Sequence, residues 1–164
     1  MSELMESWKD YNVAMTGAIT ALAGLVIVAA SVNIERIVKG PALTARLAAA
    51  IATLVAGVAV SALGLFPGIL MPVYGTVVIV IAVIAGVFQV HAAVQIYAND
   101  HPQNRLRFGK SALNFVPVIA YAVAGVLVLA GSLEAGLVVI ASGSVLAICT
   151  GVLVSWVALV EVLR

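Results

Sequence analysis

A few amide, carboxylate and imidazole side chains near the ends of long apolar runs are the residues of this sequence best suited to chemistry. They are Asn33, Glu35, His91, Gln95 and Asn114. His91 and Gln95 are four residues apart and share one face of a helix, and imidazole titrates near neutral pH. Together with Gln89, which lies toward the same side of the membrane on the third predicted span, the five residues form a candidate polar cluster that could bind a ligand or gate a path. The competing interpretation is that each side chain only hydrogen-bonds a helix end or a neighbouring helix.

The sequence contains no complete motif for catalysis or metal binding. Phe108-Gly-Lys-Ser111 is similar to the end of a phosphate-binding loop, but Asn104 stands where the first glycine of that loop belongs. His91 and His101 lack the carboxylate or thiol neighbours of a metal site. Asp100 next to His101 is typical of a charged, solvated turn. The sequence therefore predicts no enzyme, no cofactor and no metal.

The composition is that of a chain solvated by lipid. Hydrophobic residues make up 64% of the 164 residues and charged residues only 9%, against about 25% charged in soluble domains. The net charge of +1 offers no concentrated basic face, so a nucleic-acid partner is not expected. The single cysteine, Cys149, permits no intramolecular disulfide.

Five apolar runs are long enough to cross a bilayer, which takes about 20 helical residues. The predicted fold is therefore an all-α, polytopic bundle of transmembrane helices, and residues 1–164 form a single integral membrane domain. Turn-forming residues at 66–68 and 132–134 predict two tight helical hairpins. The predicted spans are 13–33, 43–65, 69–97, 112–131 and 135–160.

Lysine and arginine residues predict the orientation, because they are retained in short cytoplasmic loops. With the amino terminus outside and the carboxyl terminus in the cytoplasm, only Lys9 of the eight basic residues lies outside. The basic loops could also bind anionic lipid headgroups, although the orientation rule already accounts for them. The residues predicted inside are Arg36, Lys39, Arg46, Arg105, Arg107, Lys110 and Arg164.

The segment before the first span is charged and carries aromatic residues. Leu4, Trp8 and Tyr11 share one helical face, which predicts a short helix on the outer surface with the two aromatic rings at headgroup depth. A frayed end with two interfacial aromatics is the alternative. Acidic residues in this segment and the length of the following run argue against a cleaved signal peptide.

Small residues spaced four apart permit close approach of helices in lipid. The first span offers Gly17, Ala21 and Gly24. Internal packing is the ordinary role of such rows, and association between copies of the chain is the second. The two best rows are Ala49, Thr53, Gly57 and Ser61 in the second span, and Gly143, Ala147, Gly151 and Ser155 in the fifth.

The first third of the chain resembles a group of short multi-helix bacterial membrane proteins of unknown function. The resemblance starts at Trp8-Lys-Asp-Tyr11 and includes Leu43-Thr-Ala-Arg46. Its most specific element is Ser31-Val-Asn-Ile-Glu-Arg-Ile37, at the end of the first span. The resemblance implies a location in the bacterial cytoplasmic (inner) membrane and no established activity.

No Asp, Glu, Lys or Arg lies in the middle of any predicted span, which argues against a proton relay or voltage sensor. We therefore expect a non-enzymatic membrane protein that self-associates or serves as an accessory subunit of a larger membrane complex. The alternative is a small homo-oligomeric channel or solute transporter, with a path between protomers that is entered through the polar cluster.

Overall fold

A computed structural model of the chain describes residues 2–98 and 107–163, and within them the side chains of residues 3–98 and 112–156. The predictions for Asp100, His101 and Arg105 fall outside the described residues, as do those for the side chains of Arg107, Lys110 and Arg164. Within the described ranges the secondary structure is helical, with no strand. The helices are α1 (Ser2–Ser7), α2 (Lys9–Val32), α3 (Ile34–Val38), α4 (Pro41–Leu63), α5 (Met71–Tyr97), α6 (Arg107–Leu129) and α7 (Leu133–Leu163).

Five of the described helices, α2 and α4 to α7, are long and apolar enough to cross a membrane. This confirms the predicted all-helical fold and its number of spans. The first spanning helix begins at Lys9 rather than at residue 13, because Asn12 is buried inside the bundle and its backbone amide already donates to the Trp8 carbonyl. The side of the membrane on which each terminus lies remains a prediction.

Tight turns join α4 to α5 and α6 to α7. Gly68 in the first turn has φ +73° and Gly131 in the second has φ +85°, a conformation that glycine adopts without a steric penalty. After α6 the amide of Gly131 donates to the Val128 carbonyl and that of Ser132 to the Leu127 carbonyl. These two hydrogen bonds pair carbonyl groups at the end of α6 that have no partner within the helix, as is usual before a chain reversal. The turn therefore joins α6 and α7 as a hairpin.

Helix α4 lies at the centre of the bundle. It packs against α2, α5 and α7, while α6 packs against α5 and α7. One buried cluster joins α4 through α7, with Tyr74 and Tyr121 as its largest side chains. A second cluster joins α2, α3, α4 and α7 around Ile19 and Leu54. Half of the most apolar segment of α4 is buried, against 22% for α2, so α2 is the most peripheral span.

Helices α5 and α6 approach each other closely at two glycines, Gly75 and Gly125. A methyl group built on Gly125 would lie 2.9 Å from the Gly75 carbonyl oxygen and 2.6 Å from Cγ1 of Ile79. Since lipid offers no hydrophobic drive for association, such backbone proximity supplies the packing energy through van der Waals contact. The sequence rows identified above did not include these two glycines.

The amino-terminal segment folds back onto the bundle. Leu4, Met5 and Trp8 pack against the cluster formed by α4 through α7, and the Tyr11 hydroxyl donates to the Ala141 carbonyl at 3.0 Å. The rings of Trp8 and Tyr11 meet edge to face with centroids 5.5 Å apart. This segment is therefore held by protein contacts at the end of the bundle where α4 meets α5.

Candidate functional site

The predicted polar cluster is dispersed over several environments. Glu35 and His91 are exposed, Asn33 and Gln95 are half-buried, and Asn114 is buried on α6. Asn33 donates through Nδ2 to the Ala29 carbonyl of its own helix at 3.1 Å. Within the described residues no hydrogen bond joins any two of these five side chains. A common binding site formed by these five residues stays a prediction.

Gln89, which the sequence groups with these residues and which lies two positions before His91, is the amide that enters the interior. Its side chain is 3% exposed, and Nε2 donates to Thr53 Oγ1 at 2.7 Å and to the Ala49 carbonyl at 3.3 Å. Thr53 in turn donates to the Ala49 carbonyl at 2.9 Å. The result is a buried hydrogen-bonded connection between α5 and the middle of α4.

The five residues proposed for helix packing all lie inside the subunit. Gly57 faces Tyr121 and Ile19, so that an added methyl would lie 2.9 Å from the Tyr121 hydroxyl. Gly143 faces the Tyr121 ring from α7, and Gly151 faces Leu54. Ser61 and Ala147 are buried at 0% and 1% exposure. Both rows are therefore occupied by contacts within one chain.

A second group of polar residues occupies the half of the bundle toward α1, and each spanning helix contributes one member. We call it the polar layer. The Tyr74 hydroxyl donates to the Val60 carbonyl at 3.4 Å, and the Tyr121 hydroxyl donates to Ser144 Oγ at 3.2 Å. All five side chains are buried. The polar layer consists of Asn12, Ser61, Tyr74, Tyr121 and Ser144.

Two atoms of the polar layer, Nδ2 of Asn12 and Oγ of Ser61, are fully buried without a hydrogen-bond partner in the described part of the protein. The Asn12 amide lies against Gly64, where an added methyl would approach Nδ2 to 2.6 Å. An unmatched buried polar group costs about 1–3 kcal/mol. The polar layer is therefore the part of the core where helix packing has left polar groups imperfectly matched.

The polar layer offers hydrogen-bonding groups without charge. Its members are one amide and four hydroxyl side chains, which carry no charge at neutral pH. Such groups orient helices or bind water, but they do not form an acid–base pair. Within the same residues, no group of three His, Cys, Asp or Glu side chains lies close enough to hold a metal ion.

A groove of about 530 Å³ opens between α4 and α5 at mid-span. Its walls are apolar side chains such as Ala52, Ile84 and Phe88. No polar group projects into it to orient a ligand, which specific small-molecule sites require. We assign this groove to the lipid-facing surface of the bundle.

The helix with the most exposed small residues is α2. Ala14, Gly17, Ala18, Ala21 and Gly24 share one face, and all five are exposed. A methyl built on Gly17 or on Gly24 would meet no atom within 4 Å. We call this surface the α2 face. In contrast to the rows on α4 and α7, it has no partner within the described residues.

Sequence inspection missed Asn12, Tyr74, Tyr121 and Ser144 as interior polar residues. Asn12 stood just before the predicted first span, and single serines in apolar helices are too common to indicate a site. The tyrosines carried a usable signal: Tyr121 falls in the middle of a span, whereas tyrosine in membrane proteins concentrates at the interfaces.

The fold and the apolar helices define the class of the protein, a multi-pass helical protein compatible with integration in a membrane. Comparison of the chain with protein-family models, with curated proteins and with solved structures found no match. The resemblance to short bacterial membrane proteins in the first third of the chain therefore stays a prediction.

Proposed function

We propose that this protein is a non-enzymatic integral protein of a bacterial cytoplasmic membrane. It associates with a second copy of itself through the α2 face. The observation that carries the proposal is the exposure of five small residues in succession on one side of a spanning helix. Glycine at a lipid-facing position gives up side-chain contacts and lowers helix propensity by about 1 kcal/mol relative to alanine. Close approach of another helix restores those contacts.

The use of the other small residues inside the bundle supports the choice of α2. The rows on α4 and α7 already receive Tyr121, Ile19 and Leu54. Helix α2 is also the least buried span, so a partner helix would reach it without displacing any described contact. The α2 face thus combines accessibility with the residue type that promotes helix pairing.

The test compares the mass of the purified protein in mild detergent with that of Gly17→Leu and Gly24→Leu. The proposal expects the unmodified chain to form a defined homo-oligomer. Each leucine should raise the dissociation constant at least tenfold, which corresponds to about 1.4 kcal/mol, because it holds the two backbones apart. Analytical ultracentrifugation over a range of protein-to-detergent ratios measures the change.

Ala62→Leu is the matched control, since Ala62 is an exposed small residue on α4 outside the α2 face. It should leave the oligomer unchanged. A monomeric unmodified protein, or leucine variants that associate as strongly as the unmodified chain, would contradict the α2 interface.

Two other outcomes would distinguish an accessory subunit and a channel from a protein that only self-associates. Copurification of a defined foreign protein that the Gly17→Leu variant loses would show an accessory subunit that uses the same face for a different partner. Ion or solute flux in liposomes that appears only with the homo-oligomer would favour the channel alternative. The fully buried polar residues of one subunit are amides and hydroxyls, and the channel alternative places its path between copies.

A further inference from the structure

We infer that the end of the bundle next to α1 holds a binding site for the headgroup of a zwitterionic phospholipid that carries a primary ammonium, such as phosphatidylethanolamine. The site is a groove of about 380 Å³ between the amino-terminal segment and the turn that joins α4 to α5. Glu6 and Lys9 lie on one side of it, and Phe66, Ile69 and Met71 lie on the other. This inference does not depend on self-association through the α2 face.

Two glycines line the groove, Gly64 and Gly68. Gly68 has φ +73° and no atom within 4 Å of the position that a methyl would occupy, so the turn passes without a side chain. Gly64 accommodates the Asn12 amide so closely that no larger residue fits there. The volume of the groove falls within the usual range of ligand sites, which begins at about 300 Å³.

The groove lies at the depth of lipid headgroups. It is bounded by the carboxyl end of α4 and the start of α5, two helices long and apolar enough to span the membrane. Phe66 and Leu70 in the connecting turn are 66% and 69% exposed, which suits contact with the upper acyl chains and not with water. Charged residues at the mouth and apolar walls below therefore match the two ends of a phospholipid.

The charges at the mouth match a headgroup of zero net charge. Lys9 Nζ lies 2.9 Å from Glu6 Oε1, and both side chains are more than half exposed. An exposed pair of this kind contributes little, about 0–1 kcal/mol, so its members can exchange partners at small cost. The ammonium of Lys9 can donate to a lipid phosphate, while the Glu6 carboxylate can accept from the lipid ammonium.

Glu6 gives the site its selectivity. Phosphatidylglycerol presents a phosphate without a compensating ammonium, and Glu6 would then face a like charge. Phosphatidylcholine carries a positive charge but no N–H donor for the carboxylate. Discrimination between ligands often depends on such an unfavourable contact with the wrong one, so the order of retention should place phosphatidylethanolamine first.

The experiment is native mass spectrometry of the full-length protein, delipidated in detergent and titrated with phosphatidylethanolamine, phosphatidylglycerol or phosphatidylcholine of identical acyl chains. The unmodified protein should retain phosphatidylethanolamine at least threefold better than phosphatidylglycerol. Glu6→Gln should abolish this preference, because the unfavourable contact with phosphatidylglycerol and the acceptor for the ammonium are both lost. Lys9→Gln should lower retention of both lipids.

Glu3→Gln is the matched control: Glu3 is exposed on the same short helix, and it should leave the preference intact. Equal retention of the two lipids by the unmodified protein, or a preference that survives Glu6→Gln, would overturn the proposed site. Free phosphoethanolamine should not displace the lipid. If it does so at equal concentration, the ligand is a soluble zwitterion and the assignment to a phospholipid is wrong.

Discussion

Single residues determine how closely the helices of this bundle approach one another. Gly75 and Gly125 bring the backbones of α5 and α6 together, and Gly57 makes room for the Tyr121 hydroxyl. Single polar residues also connect helices: Gln89 of α5 donates hydrogen bonds to Thr53 and to the Ala49 carbonyl, which face it from α4. Each of these positions has a role that depends on atoms from another helix.

Gly125→Ala should destabilise the protein by about 1–3 kcal/mol, the usual cost of overpacking. The added methyl would lie 2.9 Å from the Gly75 carbonyl oxygen, and backbone cannot rotate away as the end of a side chain can. Reversible unfolding in mixed micelles, followed by circular dichroism, measures the change in the free energy of unfolding.

Gly86→Ala is the control for this prediction, because its methyl would meet Val118 Cγ1 at 3.6 Å, an ordinary contact distance. It should be neutral, or stabilising by up to about 1 kcal/mol through helix propensity. Equal destabilisation by the two alanines would mean that the α5–α6 approach is looser than the structure indicates.

At the scale of helices, α4 organises the molecule. It is the most buried span and contacts α2, α5 and α7, so its polar and small residues face three different neighbours. One side carries Gly57 toward α2 and α6, and another carries Thr53 toward α5. The connection between α4 and α5 therefore depends on a turn at one end and a buried hydrogen bond at mid-span.

A double-mutant cycle of Gln89→Leu and Thr53→Val tests the link between α4 and α5. Hydrogen bonds between membrane helices contribute about 0.6 kcal/mol on average, with a maximum of about 1.7. We expect a coupling energy within this range, because Thr53 Oγ1 is the nearer of the two acceptors of Gln89 Nε2. The free energies of unfolding of the four proteins provide the value.

The same Gln89→Leu substitution combined with Ser142→Ala should show no coupling, since Ser142 is exposed on α7 and donates to the Val138 carbonyl of its own helix. Additive effects of the Gln89 and Thr53 substitutions would indicate that the two side chains do not share a hydrogen bond in the membrane.

The whole molecule has an odd number of helices capable of spanning the membrane within the described residues, so its two ends are expected on opposite sides. The basic residues predict which side is which, since seven of the eight lie on one side of the proposed topology. The α2 face and the phospholipid groove then occupy different depths of the same bundle, and the groove would belong to the outer leaflet.

Single cysteines introduced as Ser7→Cys or Lys39→Cys into a Cys149→Ser background test this orientation. Intact cells should react with a membrane-impermeant thiol reagent at position 7, whereas position 39 should react only after permeabilisation. The reverse pattern would invert the topology, and reaction of both positions from the outside would show that α2 does not cross the membrane.

The secondary-structure elements of this protein follow from its sequence alone. Apolar runs of about 20 residues predict spanning helices because a backbone in lipid must satisfy its own hydrogen bonds, and Gly68 and Gly131 lie in or next to the predicted turns. The observed helix ends lie within a few residues of the predicted ones. The largest differences are at two helix starts. Helix α2 begins at Lys9 instead of residue 13, where burial of Asn12 depends on a neighbouring helix, and α6 begins at Arg107 instead of residue 112.

Which faces of those helices lie inside the bundle is visible only in the tertiary structure. A repeat of small residues looks the same in sequence whether it packs within the chain, as at Gly57 and Gly151, or faces outward, as at Gly17. Hydropathy cannot distinguish these cases because lipid and protein interior are both apolar. Likewise, His91 and Gln89 are close in sequence, yet only Gln89 meets partners in the core. The positions of the spans follow from transfer into lipid, whereas the contacts follow from helix rotation and close packing, which depend on all the helices together.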